Sequence, residues 1–259
     1  MSTQIKLRRV LTEGGIALGS CIDSFSPAVA ELAGYAGLDF LRIDTEYSWR
    51  RDDSLEHMIR ACRIGGATPL VRVEKGQPYL ISKAFQAGAE AILVSDITGY
   101  EEAVEVVRAA RFAPNGVRGY SIHTAAGRWG MAGGARWVEQ SDAELMVGIM
   151  IENREILGDL DRIFAIRGLD FCLFGPSDFS LSMGYREPRT NDETVQDALR
   201  RTCEAAAAHG KWVAMGIKQP WAEQAARYTA MGCRMIELSH DVAILASVWS
   251  AARKEIRES

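Results

Sequence analysis

Acidic residues stand at the ends of several apolar runs in this chain, and an arginine stands among them. Asp44 closes residues 39–44 (DFLRID), Glu152 follows 144–151 (ELMVGIMI), and Asp178 ends the turn Gly175-Pro176-Ser177-Asp178 after 170–174 (DFCLF). Arg72 sits near the end of 68–73 (TPLVRV). Carboxylates in such a set suit a hard divalent cation such as Mg2+ or Mn2+, which takes oxygen ligands from carboxylates, water and substrate. Held by Glu152 and Asp178, a cation would accept the keto and carboxylate oxygens of a pyruvate-like acid and stabilise its enolate as a Lewis acid. Arg72 offers two parallel N–H groups to the enolate oxygen or to the carboxylate. The backbone N–H groups of the turn at Gly175 and Ser177 are candidates to receive that carboxylate. The plainer reading of Arg72 is a rim arginine that pairs with a neighbouring acid.

The elements that must position these groups alternate regularly. Strands are read at 16–22, 39–44, 68–73, 91–95, 144–151, 170–174, 211–216 and 235–238. Helices are read at 26–35, 53–64, 78–86, 100–111, 154–166, 193–209, 220–231 and 241–257. Pro27 suits a first helical position, and Gly65-Gly66 a helix end. Residues 112–139, rich in Gly, Arg and aromatics, read as one long irregular stretch, a length usually tied to function or mobility. The strands are near-continuous apolar runs, as in a parallel sheet covered on both faces. Eight strand–helix units in 259 residues predict an α/β fold of the closed (β/α)8, or TIM barrel, kind, read as a single domain over 1–259. Active sites of that fold lie at the C-terminal ends of the strands, where all the acidic groups above fall.

Composition narrows the function classes. Hydrophobic residues are 47% and charged residues 25%, ordinary for a globular protein, and the formal net charge is -4. An acidic balance argues against nucleic acid, which needs a basic face. Five cysteines at wide spacing, with no CxxC pair, fit reduced thiols better than a disulfide framework or a zinc ribbon. No apolar run approaches the roughly 20 residues that span a bilayer, and the N-terminus lacks a signal-peptide core. The expectation is a cytoplasmic enzyme with no membrane partner.

Six segments, in order, resemble the HpcH/HpaI family of metal-dependent pyruvate aldolases. They are 41–46 (LRIDTE), 69–73 (PLVRV), 87–94 (AGAEAILV), 111–119 (RFAPNGVRG), 150–153 (MIEN) and 174–185 (FGPSDFSLSMGY). The resemblance implies that Glu152 and Asp178 are metal ligands, for Mg2+ or else Mn2+ or Co2+. It implies that Arg72 meets the pyruvate oxygen, that Asp44 lies near metal-bound waters, and that the backbone at Ser177 holds the pyruvate carboxylate. It also implies a homohexamer, a trimer of dimers, with the last helix, 241–257, packed on a neighbouring subunit.

One departure bears on mechanism. The family's strand-2 motif normally ends in Glu-His, the histidine being the general base; here that position is Tyr47. Its usual carboxylate partner aligns with Gln86. Histidine suits proton transfer because it titrates near neutrality, whereas tyrosine titrates at about 10. A metal-bound hydroxide or His123, in the long loop, is the expected replacement, so Arg72, Tyr47 and His123 stand as the candidate catalytic residues. His240, after strand 8, faces either the mouth or a subunit contact; His57 and His209 read as surface or packing residues. Arg128 is a candidate for a second substrate carboxylate, and Lys218 reads as an exposed lysine rather than a Schiff base. Tyr47-Ser48-Trp49 either narrows the acceptor pocket or packs at a subunit contact. The other tryptophans read as core or interface anchors.

The leading expectation is a carbon–carbon lyase acting on the enolate of pyruvate or oxaloacetate. One alternative is Claisen condensation of oxaloacetate with acetyl-CoA, because the resembled family includes a citrate synthase of siderophore pathways. The other is a barrel that binds 2-oxo acids without turnover.

Overall fold

The computed structural model describes residues 4–47 and 52–258. Eight parallel strands close into one barrel in chain order: β1 (Ala17–Ile22), β2 (Phe40–Asp44), β3 (Thr68–Val73), β4 (Ala91–Val94), β5 (Met146–Ile151), β6 (Phe171–Phe174), β7 (Trp212–Ile217) and β8 (Met235–His240). The helices are α1 (Lys6–Thr12), α2 (Pro27–Tyr35), α3 (Asp52–Gly65), α4 (Pro78–Ala87), α5 (Tyr100–Ala110), α6 (Gly134–Glu144), α7 (Leu160–Phe164), α8 (Pro176–Ser182), α9 (Glu193–Ala208), α10 (Trp221–Ala230) and α11 (Asp241–Glu258). This is the expected (β/α)8 barrel.

Alternation along each strand separates two cores. Outward residues such as Ile43, Val71, Ile92 and Ile149 pack under the helices. Inward residues, among them Phe40, Leu70, Leu93, Phe171 and Met235, fill the lower barrel. Two glycines give the large rings their space: a Cβ on Gly19 would lie 2.5 Å from the Phe40 ring, and one on Gly148 2.3 Å from Phe171. Leu7 and Leu11 of α1 close the floor of this inner core. The Leu7 N–H donates to Thr68 Oγ1 (3.1 Å), and Arg8 pairs with Asp170 (2.8 Å).

Three local readings need correction. Residues 134–144, taken as irregular or as the start of strand 5, form α6, and β5 begins only at Met146. No α6 residue is buried, so it shows no apolar stripe. Residues 154–166 are a 3-10 turn over Arg154–Gly158 followed by the short α7, not one helix. β8 runs two residues past Leu238, to His240.

All five cysteines are free and buried. Among the described residues no helix is long and apolar enough to cross a membrane. Helix α11 touches β1 and β8 at its start and leaves Val242, Leu245, Val248, Trp249 and Ile256 exposed.

Candidate active site

Above the apolar floor the barrel interior turns ionic. Glu237 (β8), Arg42 and Asp44 (β2), Arg72 (β3) and Glu152 (beyond β5) are all buried. Both nitrogens of the Arg42 fork meet Glu237 at 2.7 Å, and a third contact reaches Asp44 at 3.2 Å. Arg72 Nε donates to Asp44 Oδ1 (3.1 Å), Nη2 donates to Asp44 Oδ2, and Nη1 lies 2.9 Å from Glu46. Signs therefore alternate along Glu237, Arg42, Asp44, Arg72 and Glu46. Burial opposes the Asp44 charge, but the Arg72 hydrogen bonds and the charges of Arg72 and Arg42 overcome it and hold the carboxyl below its ordinary value. At Glu46 burial prevails, and the carboxyl is raised.

Glu152 is held differently. Its Oε1 accepts the N–H of Asp96 at 2.6 Å, a backbone group aimed there by a left-handed conformation at Asp96 (φ 51°). Aspartate tolerates that region better than most residues. Glu152 Oε2 is buried with no hydrogen-bond partner. Burial, followed by the nearby charges of Asp178 and Glu46, pushes the carboxyl up to about 7, against the Asp96 bond and the Arg72 charge. The space beside Oε2 exists because residue 175 is glycine; a Cβ there would stand 3.0 Å from Oε2. Asp178 is exposed in the first turn of α8. A buried, unpartnered carboxylate oxygen with a second carboxylate near enough to raise it is a donor set that fits a hard divalent cation.

The turn into α8 corrects the sequence reading at Gly175, whose N–H is not free to receive a carboxylate. Gly175 N–H is engaged with Ile151 O (3.0 Å), and Pro176 occupies the first helical position. That leaves the N–H groups of Ser177 and Asp178, which have no carbonyl in their own helix.

Tyr47 is exposed, with its ring 4.8 Å from the Arg72 guanidinium. Burial, then Glu46 and Asp178, raise its phenol above the usual range. Asp44, Arg72, Tyr47, Glu152 and Asp178 thus form one electrostatic group. His123 lies outside it, lining a neighbouring cavity of about 550 Å³ with Thr45, Gln86 and Trp129. Gly175, Ser177, Lys218 and His240 line another cavity, of about 390 Å³, with Arg42 and Glu237. Arg128 is exposed, and Ser48 and Trp49 lie outside the described residues. Sequence reading passed over Arg42 and Glu237, although a charge inside the apolar runs FLRID and MIEL was the available signal.

The HpcH/HpaI aldolase/citrate lyase family model matches residues 19–247. A hydroxypyruvate/pyruvate aldolase of Delftia acidovorans is 32% identical over 221 residues, 85% of this chain and 80% of that protein. A 5-keto-4-deoxy-D-glucarate aldolase of an Enterobacter species is 28% identical over 242 residues, 93% of each. Among solved structures, the citrate synthase SbnG superposes with a TM-score of 0.87 at 27% identity, covering 98% of both chains.

Proposed function

The chain belongs to the HpcH/HpaI aldolase/citrate lyase family, and on that premise we propose that it breaks or forms the carbon–carbon bond next to a pyruvate-like 2-oxo acid. The observation that carries the reading is Glu152, a buried carboxylate with an unpartnered oxygen, lying within the electrostatic reach of Asp178 and the Arg72 guanidinium. Its relatives are aldolases, and the family depends on a divalent metal. Glu152 and Asp178 are the residues to hold that metal, and oxygen donors of this kind favour Mg2+ or Mn2+. When bound, it would supply Lewis-acid polarisation of the keto group.

The chain's own groups do the rest. The Ser177 and Asp178 N–H groups receive the substrate carboxylate at the start of α8. Arg72, fixed by Asp44, presents its guanidinium to the keto oxygen. When the bond beyond C3 breaks, the electron pair stays on the keto-acid fragment and negative charge collects on that oxygen. A donor already in place stabilises it without reorganisation. Tyr47 covers the guanidinium from the solvent side and bounds the acceptor space.

A second reading, condensation of oxaloacetate with acetyl-CoA, is favoured by the likeness to the citrate synthase SbnG and by tyrosine in place of the usual base. One assay separates the two: oxaloacetate consumption, and pyruvate addition to aldehydes, with and without Mg2+ and with and without acetyl-CoA. Mg2+-dependent turnover without acetyl-CoA supports the lyase, and thiol release supports the condensation. No turnover in any arm overturns both.

We place the protein in the cytoplasm, which suits five unpaired thiols. The assembly is a homohexamer in which the apolar face of α11 packs on a neighbouring subunit. Light scattering of the full chain tests this; a monomer refutes it.

A further inference from the structure

The strand β8 reads Met-Ile-Glu-Leu-Ser-His. Strict alternation that puts Glu237 inside would put His240 outside. The register breaks that alternation. β1 advances two residues between the pairs Gly19↔Glu237 and Cys21↔His240, while β8 advances three. The extra residue is a β-bulge, a device that re-aims a side chain. Ser239 absorbs it in a left-handed conformation (φ 48°), uncommon for a residue other than glycine. Ser20 Oγ donates to both carbonyls of the bulge, Leu238 O (2.9 Å) and Ser239 O (3.2 Å).

The bulge brings His240 opposite Cys21, where its Nδ1 meets Asp23 Oδ2 at 2.5 Å. Asp23 is itself fixed. Its N–H donates to Asp241 Oδ1 (2.9 Å), and Cys21 Sγ donates to Asp23 Oδ1 (3.1 Å). A carboxylate on Nδ1 selects the tautomer that carries its proton there and leaves Nε2 to exchange. His240 is half-exposed and lines the same cavity of about 390 Å³ as Gly175 and Ser177.

The other histidines lack this combination. His209 also meets a carboxylate, Asp161 at 2.8 Å, but Asp161 is 86% exposed on the helical shell. His57 is exposed on α3, and His123 lines the cavity on the β2–β3 side.

We propose that His240, oriented by Asp23, is the proton carrier for the keto acid that rests on the β6–α8 turn; this deepens the function proposed above and rests on it. In cleavage, Nε2 takes the proton of the substrate's C4 hydroxyl. The C3–C4 bond breaks, C4 leaves as an aldehyde carbonyl, and its former bonding pair remains on the C2–C3 fragment. The imidazolium returns the same proton to C3, giving a methyl group and a neutral ring. Asp23 is a positioning residue. The charged or titratable groups around the ring are Cys21 from β1 and Asp23 just beyond it, Arg42 from β2, Glu237 from β8, Asp241 at the start of α11, and Lys218 and Tyr228 in the lining of the cavity. The Asp23 hydrogen bond leads in holding His240 above the ordinary imidazole value, opposed by burial and Arg42.

The test follows pyruvate methyl protons exchanging for deuterium in D2O with the Mg2+-loaded full chain. H240A is expected to lose about a hundredfold or more of the exchange rate. Added imidazole should restore at least part of it, which a structural defect would not allow. The wild-type rate should rise with pH as His240 loses its proton, and D23N should move that rise to lower pH. The inference is overturned if H240A exchanges like wild type, or if imidazole fails to rescue and D23N keeps the wild-type profile. It is also overturned, with the lyase reading intact, if the wild type consumes oxaloacetate but exchanges no methyl protons. Absence of both activities in the wild type sinks the lyase reading itself.

Discussion

Replacing Glu152 by glutamine should make the metal-free protein more stable while abolishing its turnover. Glu152 is only 7% exposed, and its carboxyl titrates at about 7 rather than the ordinary 4.5. At about 1.36 kcal/mol per pH unit, that difference is a cost of up to about 3 kcal/mol for keeping the group charged in the folded state. The native state holds the proton to higher pH than the unfolded chain does. The unfolded chain therefore binds fewer protons between 4.5 and about 7, and stability falls as pH rises through that window. Glutamine keeps the acceptor for the Asp96 N–H and carries no charge. In EDTA at pH 8, E152Q should melt higher than wild type by on the order of 5–10 °C, taking a few degrees per kcal/mol for a chain of this size. At pH 4.5 the gain should vanish, because wild-type Glu152 is then protonated. Mn2+ at pH 8 should raise the wild-type melting temperature and leave that of E152Q unchanged. A variant less stable than wild type at pH 8, or a gain of equal size at both pH values, would refute the argument.

Other expectations follow from the same geometry. R72K keeps the charge but loses the fork that grips Asp44; kcat should fall by about 10²–10³, with a smaller change in KM, in steady-state kinetics. R42M leaves Glu237 buried and unpaired and should cost about 3–5 kcal/mol in urea unfolding, much of it recovered in R42M/E237L. Additive losses in that double-mutant cycle would show that the pair is uncoupled. G148A forces a methyl group against the Phe171 ring and should cost about 1–3 kcal/mol, relieved by F171L in thermal melts.

How far the sequence spoke depended on what each segment had to bury. The eight strands were legible because both faces of most of them are covered, so AILV and FCLF read as uninterrupted apolar runs and TPLVRV as one broken only by Thr68 and Arg72. α6 was illegible for the opposite reason: none of its residues is fully buried, Trp137 packing its ring on Phe112 and Tyr120, and it opens on Gly133-Gly134, which reads as a turn. α1 was passed over because only Leu7 and Leu11 of its seven residues are fully buried, too few to show a period. In the site, Asp44, Arg72, Glu152 and Asp178 were legible from their places at strand ends. The Arg42–Glu237 pair was not, since strand pattern alone does not say which inward position lies above the apolar layer. His240 was ambiguous because its direction depends on a dihedral at Ser239, and no residue type there announces a bulge.

The alternating row of charges has a kinetic corollary. Around Arg42 and Arg72 stand five carboxylates: Asp44, Glu46, Glu152, Asp178 and Glu237. An anionic keto acid approaching this mouth alone meets a surplus of negative charge. Under the function proposed above, the cation is therefore expected to load before the acid.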